Sequence, residues 1–397
     1  MTVFKDKKNR ILESAVHVFS EKGYRHSTIA DLARKAELGE ATIYNHFKNK
    51  EHILFSIATQ GIHNFMDSNA EHLTGIKNPE EKLRKFIWQY LWWSQRHKLF
   101  VKVFLLEIQS NPHYYQSEAY AMFKEVAKIL LHILEEGQQE GLFRRGVNPR
   151  TFSSFVLGTM NYLFLSCILF DRTIAVLDDF DAIAGVVLAA IKHRAEAAPT
   201  ANNDLVGKRE KILIAAEQLF SQDMFFNTTI SSIAQKAGVA DGTIYEYFKN
   251  KDDLLFSIFE KRMQEFMDTF DEALSPQKPE TKLKHILWHF LNWSQNNRLW
   301  TRIYFKDLIP NPRFYRSDKH QAMRRYDDKL MQIIRQGQQK GVIDADLKVY
   351  LIRAMLYGTL DHLCSPWAML LKEYHLVTEL ENFYDLFLRA IMAQKPT

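Results

Sequence analysis

With 397 residues, 46% of them apolar and 25% charged, the chain has the balance of a globular protein of two or three domains, which excludes a disordered or fibrous one. A net charge of +5 is mild, so any contact with nucleic acid has to come from local patches rather than a basic tail. Cys167 and Cys364 form neither a disulfide framework nor a metal-type cluster, and the charged N-terminus lacks the apolar core of a signal peptide, so a cytoplasmic protein is expected.

The first helix is predicted at Lys7–Lys22, where Ile11, Leu12, Ala15, Val18 and Phe19 share one face. Gly23 stands where a helix C-cap belongs. Thr28-Ile29-Ala30-Asp31 has the spacing of a capping box, with Asp in place of the usual Glu. It opens a second helix whose buried side is Ile29, Leu32, Ala33 and Ala36. A third helix is predicted near Glu40–His46, so two short helices meet across a tight turn as a helix-turn-helix. Further helices are predicted at Lys50–Leu73, Glu80–Arg96, Lys98–Gln109, Glu118–Glu140, Pro149–Phe170 and Phe180–Ala195. Nothing alternates with period two, so no sheet is expected and the fold class is all-α.

Ser153–Phe170 carries no charge and is long enough to be weighed as a membrane span. It contains Ser153, Ser154, Thr159, Asn161 and Ser166, however, and the matching stretch later in the chain contains Arg353, Asp361 and His362. Such groups are costly in lipid, so both segments are read as helices buried in protein, with no membrane partner.

Thr42-Ile43-Tyr44-Asn45-His46-Phe47-Lys48-Asn49-Lys50 returns 201 residues later as Thr243-Ile244-Tyr245-Glu246-Tyr247-Phe248-Lys249-Asn250-Lys251, identical at seven of nine positions. The agreement continues through Trp93-Ser94-Gln95 with Trp293-Ser294-Gln295, Asn111-Pro112 with Asn311-Pro312, and Gly158-Thr159 with Gly358-Thr359. A period this long is a duplicated domain pair, not a solenoid. The proline-broken, small-residue run at 196–207 reads as a linker. The domains are therefore placed at 1–50 (helix-turn-helix), 51–195 (helical regulatory), 208–251 (second helix-turn-helix) and 252–397 (second regulatory).

A recognition helix offers base-reaching side chains near its start and phosphate donors around them. Gly39, Glu40, Ala41 and Asn45 take the base-facing places in the first copy, and Ala240, Asp241, Gly242 and Glu246 in the second. The small residues Ala41 and Gly242 would let the helix sit deep in the major groove. Thr42, Tyr44, His46 and Lys50 are candidate phosphate donors, as are Thr243, Tyr245, Tyr247 and Lys251. Thr28 and Thr229, at the start of the preceding helix, complete the DNA-contacting set. Met1–Glu51 has ten Lys or Arg against seven Asp or Glu, a balance of +3, whereas Leu205–Leu254 has six against seven, −1. Because phosphate neutralisation supplies much of the affinity, the first copy is expected to anchor a DNA complex. Whether the second still binds DNA stays open.

On these residues the chain resembles the tetracycline-repressor (TetR) family of bacterial transcription regulators. Ala237-Gly238-Val239-Ala240-Asp241-Gly242-Thr243-Ile244-Tyr245 fits the family signature closely, except that Tyr247 stands where His is usual. The first copy keeps His46 but has Glu37 and Ala41 where glycines are common, and Asn45 where an aromatic is common. The resemblance implies two fused units, each a three-helix DNA-binding domain with a larger helical ligand-binding and dimerisation domain. It further implies an internal pseudo-dimer paired through the last two helices of each unit, and a double-stranded operator of two unlike half-sites. Repression is the family's commoner mode; activation, and further self-association of the chain, stay open.

The resemblance also implies a small-molecule effector, apolar or amphipathic, whose binding swings the DNA-binding domains apart. Candidate lining residues are Trp88, Trp92, Phe104 and Asn161 in the first half, with Trp288, Asn292, Tyr304 and Asp361 at the matching places in the second. Aromatic residues at helical spacing are equally the mark of plain core, so both readings stand. No phosphate-cradling glycine loop, nucleophile elbow or paired-carboxylate motif occurs, so neither catalysis nor a cofactor is expected. His285 and His289 are four apart on a helix, but their counterparts are Lys85 and Gln89 and no third ligand accompanies them, which argues against a metal. The rival to a regulator is a helical scaffold that reuses the fold to bind partners.

Overall fold

In a computed structural model of the chain, the structure describes residues 2–170, 176–191, 208–222, 225–274 and 278–392. The linker predicted at 196–207 lies outside the described residues. Among those described, the chain is helical without a strand, and a lone antiparallel bridge joins Ile343 to Met392. Two compact units form, one of residues 1–145 and 160–188, the other of 146–159 and 189–397.

In the first unit, α1 (Thr2–Lys22), α2 (Ile29–Ala36) and α3 (Glu40–His46) make the helix-turn-helix. Their apolar faces meet in a core of Ile11, Leu12, Ala15, Phe19, Leu32, Ala33, Ala36, Ile43 and Phe47. The predicted capping box forms. The Asp31 amide donates to Thr28 Oγ1 at 3.1 Å and the Thr28 amide returns a bond to Asp31 Oδ2 at 3.0 Å. A hydrogen bond from Lys22, with those from Thr28, holds the Asp31 carboxyl well below the usual carboxylate range. A cap of this kind contributes about 1 kcal/mol. The C-cap of α2 is Glu37, at φ 53 in the left-handed region, where the second unit has Gly238 at φ 69.

The larger part of the first unit is α4 (Lys50–Leu73), α5 (Pro79–Arg96), α6 (Lys98–Val103) and α7 (Glu118–Gln139), followed by the end of α8 (Pro149–Phe170) and most of α9 (Phe180–Ala190). Where one helix is predicted over Lys98–Gln109, α6 gives way at Phe104 to a π-helical turn, Phe104–Ile108, closed by the Gln109 amide on Phe104 O at 2.9 Å.

The second unit repeats the plan. α10 (Lys208–Gln222), α11 (Ile230–Ala237) and α12 (Asp241–Tyr247) form its helix-turn-helix around Ile212, Phe220, Ile233, Ile244 and Phe248. α13 (Lys251–Ala273), α14 (Pro279–Asn296), α15 (Arg298–Ile303), a π turn at Tyr304–Leu308, α16 (Pro312–Tyr315), α17 (Gln321–Gln339), α18 (Val349–Met369) and α19 (Leu380–Ile391) follow.

This unit also takes in residues 146–159, the start of α8, which lie on α18. The backbones touch: a Cβ built on Gly158 would stand 2.3 Å from Gly358 O, and one built on Gly358 would stand 2.1 Å from Gly158 O. Only glycine at both positions allows that approach. Polar groups flank the crossing. Arg150 pairs with Glu379 at 3.2 Å and lies 4.3 Å over the Tyr374 ring. Thr151 donates to Glu379 at 2.9 Å, and Ser154 Oγ lies 3.2 Å from His362 Nδ1. Pro149–Phe170 is long and apolar enough to cross a membrane, yet 67% of its most apolar window is buried in protein.

Candidate DNA-reading helices and effector cleft

Each recognition helix is pinned from beneath by an isoleucine and a phenylalanine, Ile43 with Phe47 and Ile244 with Phe248, all 2% exposed or less. That anchoring turns the other side of the helix outward. Gly39, Glu40, Ala41, Tyr44 and Asn45 are exposed on the first helix, as are Ala240, Asp241, Gly242, Tyr245, Glu246 and Tyr247 on the second. Tyr44 and Tyr245 stand 56% and 58% exposed, unusual for rings with no core to fill. Thr42, His46 and Thr243 are half-buried at the rim. In the second unit Ser231 donates to the Asp241 carboxylate and steadies it; Ala30 holds the matching place in the first.

Lys50 and Lys251, predicted as phosphate donors, are turned inward. Lys50 Nζ donates to Tyr24 O and Ser27 O at 2.7 Å each and lies 4.5 Å over the Tyr24 ring. Burial lowers its pKa. Lys251 Nζ donates to Phe225 O at 2.7 Å and Thr228 O at 2.9 Å, and lies 4.5 Å over the Phe225 ring. Each ammonium clamps the turn between the first two helices of its domain by donating to the carbonyls there. Thr28 and Thr229 likewise use their hydroxyls in capping boxes. Exposed cations that sequence reasoning passed over are Lys48 and Lys249, which follow the recognition helices; their identity in the repeated motif was the signal.

In the first unit a cleft of about 40 Å³ lies among α4, α5, α6 and α7, with Phe65, Tyr90, Trp93, Phe100, Phe104 and Asn161 among its lining. That volume holds about three waters. Phe65 organises the wall, in edge contact with Tyr90 at 5.3 Å and Trp93 at 5.7 Å. Tyr90 donates its hydroxyl to Asn161 Oδ1 at 2.6 Å, and burial raises its phenol pKa. Among the described residues, no acidic or basic side chain lines the cleft.

Of the first-half residues expected to line a ligand site, Phe104 and Asn161 lie at the cleft, whereas Trp88 and Trp92 do not. They stack at 5.8 Å on the half-exposed side of α5, with Lys85 4.2 Å over Trp88 and Arg96 4.4 Å over Trp92. Positions 86, 90 and 93 face inward, and helical rotation puts 85, 88, 92 and 96 on the other side. Trp288 and Asn292 hold those outward positions on α14 and are half-buried. Tyr304 lies beside Trp300, at 6.2 Å, and Phe305, at 5.0 Å. Asp361 makes no hydrogen bond or ion pair among the described residues, and loss of hydration pushes its carboxyl up to about 8. His289, weighed as a metal ligand, instead shares a 2.7 Å hydrogen bond with Thr269, and burial lowers its pKa to about 4.

The π turn that starts at cleft-lining Phe104 carries Glu107 to the helix-turn-helix. There the buried carboxylate meets the Tyr24 amide and the charges of Arg25, Lys102 and Lys50, while desolvation raises its pKa. In the second unit Lys306, on the matching turn, donates to Phe220 O at 2.5 Å. In the first unit, cleft and DNA-binding domain thus share one short segment.

Residues 11–57 and 212–258 both match the family of bacterial regulatory proteins called tetR. Residues 77–165 match the tetracyclin repressor-like C-terminal domain, and residues 259–390 the C-terminal region of YsiA-like proteins. The fatty acid metabolism regulator protein of Bacillus subtilis is 32% identical over 189 residues, 46% of this chain and 95% of that protein. The transcriptional repressor NicS of Pseudomonas putida is 31% identical over 142 residues, 34% of this chain and 66% of its own. Among solved structures, FadR of Bacillus subtilis in complex with stearoyl-CoA is 27% identical over 45% of this chain and 96% of that one, with a TM-score of 0.43. The chain belongs to the TetR family of transcriptional regulators, and carries that family's DNA-binding domain twice.

Proposed function

We propose that this chain is a repressor of the bacterial cytoplasm that works as a fused pair, reading an operator of two unlike half-sites and leaving it when a small apolar or amphipathic effector binds. The observation that carries the reading is the pair of exposed recognition helices, alike in Tyr44 and Tyr245 but different in Asn45 and Glu246. A homodimer presents one set of base-facing groups twice; this chain presents two sets. The Gly158–Gly358 crossing supports α8 and α18 as the pairing surface of an internal pseudo-dimer. The name of the Bacillus subtilis relative, a fatty acid metabolism regulator, supports an effector with an apolar chain. So does the aromatic, charge-free cleft.

The test is selection of DNA from a random pool, with the mass of the complex measured by light scattering. An asymmetric site held by one chain is expected. A palindrome held by two chains would mean that one helix-turn-helix is idle and that pairing is intermolecular. Failure to enrich any site would leave the fold to a scaffold role.

A further inference from the structure

One turn beyond Phe65, on the same face of α4, sits Asn69, 1% exposed, and neither atom of its amide has a hydrogen-bond partner among the described residues. Facing α4 from α5 is Gln89, 0% exposed, whose Nε2 donates to Ser68 Oγ at 2.6 Å while its Oε1 is unpartnered. These three buried polar atoms lie behind the cleft wall, on residues one helical turn from cleft-lining Phe65 and next to cleft-lining Tyr90, and a buried polar atom is costly to leave unmet.

The second unit fills the same part of its framework differently, with bulkier rings. The register Phe65-Met66-Asp67 with Phe266-Met267-Asp268 puts Phe270 in place of Asn69, and later registers put His289 for Gln89, Tyr326 for Val126 and Trp300 for Phe100. Phe270 and Tyr326 meet at 4.9 Å, both touch the ring of Phe266, and Phe270 lies 5.8 Å from His289. Gly61, on which the Phe100 ring rests in the first unit, is replaced by Arg262, bonded to Glu217. Each of these exchanges adds bulk to the second unit's interior or replaces an amide by a ring. The polar atoms left without a partner among the described residues there, His289 Nδ1 and Tyr326 Oη, sit on rings that already occupy the space.

We infer that the chain binds one effector, in the first unit, as a neutral molecule whose apolar chain enters the Phe65–Phe104 cleft and whose polar head, both donor and acceptor, meets the buried amides of Asn69 and Gln89. The second unit fills the equivalent space with its own Phe270 and Tyr326. A charged head is disfavoured because the lining has no counter-charge. The chain displaces the cleft water and moves Phe100 off Gly61. This rests on the effector-responsive reading above and narrows it to one site and one head-group chemistry.

The probe is a series of straight-chain primary amides from hexanamide to dodecanamide, with the matching carboxylates, titrated calorimetrically into the full chain. One amide per chain is expected, at least tenfold tighter than its carboxylate. Asn69→Leu should weaken the amide at least tenfold while the unfolding temperature of the free protein holds or rises, since the variant removes two unmet polar atoms. Val126→Tyr, which copies the second unit, should abolish binding. Two amides per chain, no amide bound, a carboxylate preferred, or Asn69→Leu losing stability would each overturn the inference. Selection of DNA by the ligand-free chain is scored separately. An enriched site without amide binding sinks this inference alone, and no enriched site sinks the regulator reading whatever the amides do.

Discussion

Substituting Gly358 by alanine tests the helix crossing through the sign of its effect. In a helix interior with room to spare, Gly→Ala stabilises by about 0.5–1 kcal/mol, because it removes backbone freedom from the unfolded chain. At Gly358 the new methyl would stand 2.1 Å from Gly158 O, 2.5 Å from Gly158 C and 2.9 Å from Thr159 N, all backbone atoms that cannot rotate away. Reaching an ordinary contact near 3.4 Å requires α8 and α18 to part by about 1 Å. A gap of that size forfeits a quarter to a half of the dispersion at the crossing, and overpacking of a dense core costs about 1–3 kcal/mol. Subtracting the propensity gain leaves a net loss of about 1–2 kcal/mol. Gly185, exposed in the interior of α9 with no atom within 4 Å of its would-be methyl, is the matched control and should gain stability as alanine. Urea midpoints of the two variants against the parent decide it. A Gly358→Ala protein as stable as the parent, or more so, would refute the close crossing.

Glu37 sits at φ 53, a backbone region that glycine enters without strain, so Glu37→Gly should raise stability by about 0.5–1 kcal/mol in urea unfolding, the exposed Arg10 pair being worth little. Asp361 has its folded pKa raised to about 8, so its contribution to stability is fullest below pH 4 and is lost as pH rises toward 8. Asp361→Asn should therefore flatten that decline, with a stability advantage at pH 8.5 that shrinks toward pH 5. Lys50→Met separates a clamp from a phosphate donor. The clamp reading expects a lower unfolding temperature, whereas a donor reading expects unchanged stability and a salt slope smaller by about 1. Asn45→Glu and Glu246→Asn should shift the base favoured by each half-site in repeat selection, from adenine toward cytosine and the reverse, by about 1–3 kcal/mol of discrimination.

The helix-turn-helix units were legible because local signals agree there: a capping box at Thr28, periodic apolar residues on α1 and α2, and a nine-residue motif stated twice. The cleft was half legible. Phe104 was picked as an aromatic of the middle helices and Asn161 by its contrast with Asp361, but Trp88 and Trp92 were chosen for ring size, and the phase set by Phe86, Tyr90 and Trp93 already pointed them outward. Asn69 and Gln89 were missed because polar residues on a helix read as solvated until packing is known; setting Asn69 beside Phe270 was the available clue. Lys50 was misread because its acceptors lie 23 and 26 residues upstream, and only the folded turn brings those carbonyls to it. The π turns leave no periodic trace in the sequence.

What the two copies share and where they part has one physical explanation. A homodimer must use one residue at both of its half-sites and both of its pockets, so any change acts twice. Fusion lifts that restriction on the residues that read DNA or hold a ligand, but not on those that keep the domains folded. The clamps Lys50 and Lys251, the π turns, and Gly158 with Gly358 are mechanical, and both copies have them. Asn45 against Glu246 and Asn69 against Phe270, the positions proposed here to read DNA and ligand, are among those where the copies differ. The copies differ in framework and surface as well, as at Glu37 against Gly238 and Ala30 against Ser231, so it is the retention of the clamps, turns and glycines that is informative. A changed recognition face and a changed interior, kept on shared clamps and turns, are what the proposed division of labour between two halves of one regulator would require.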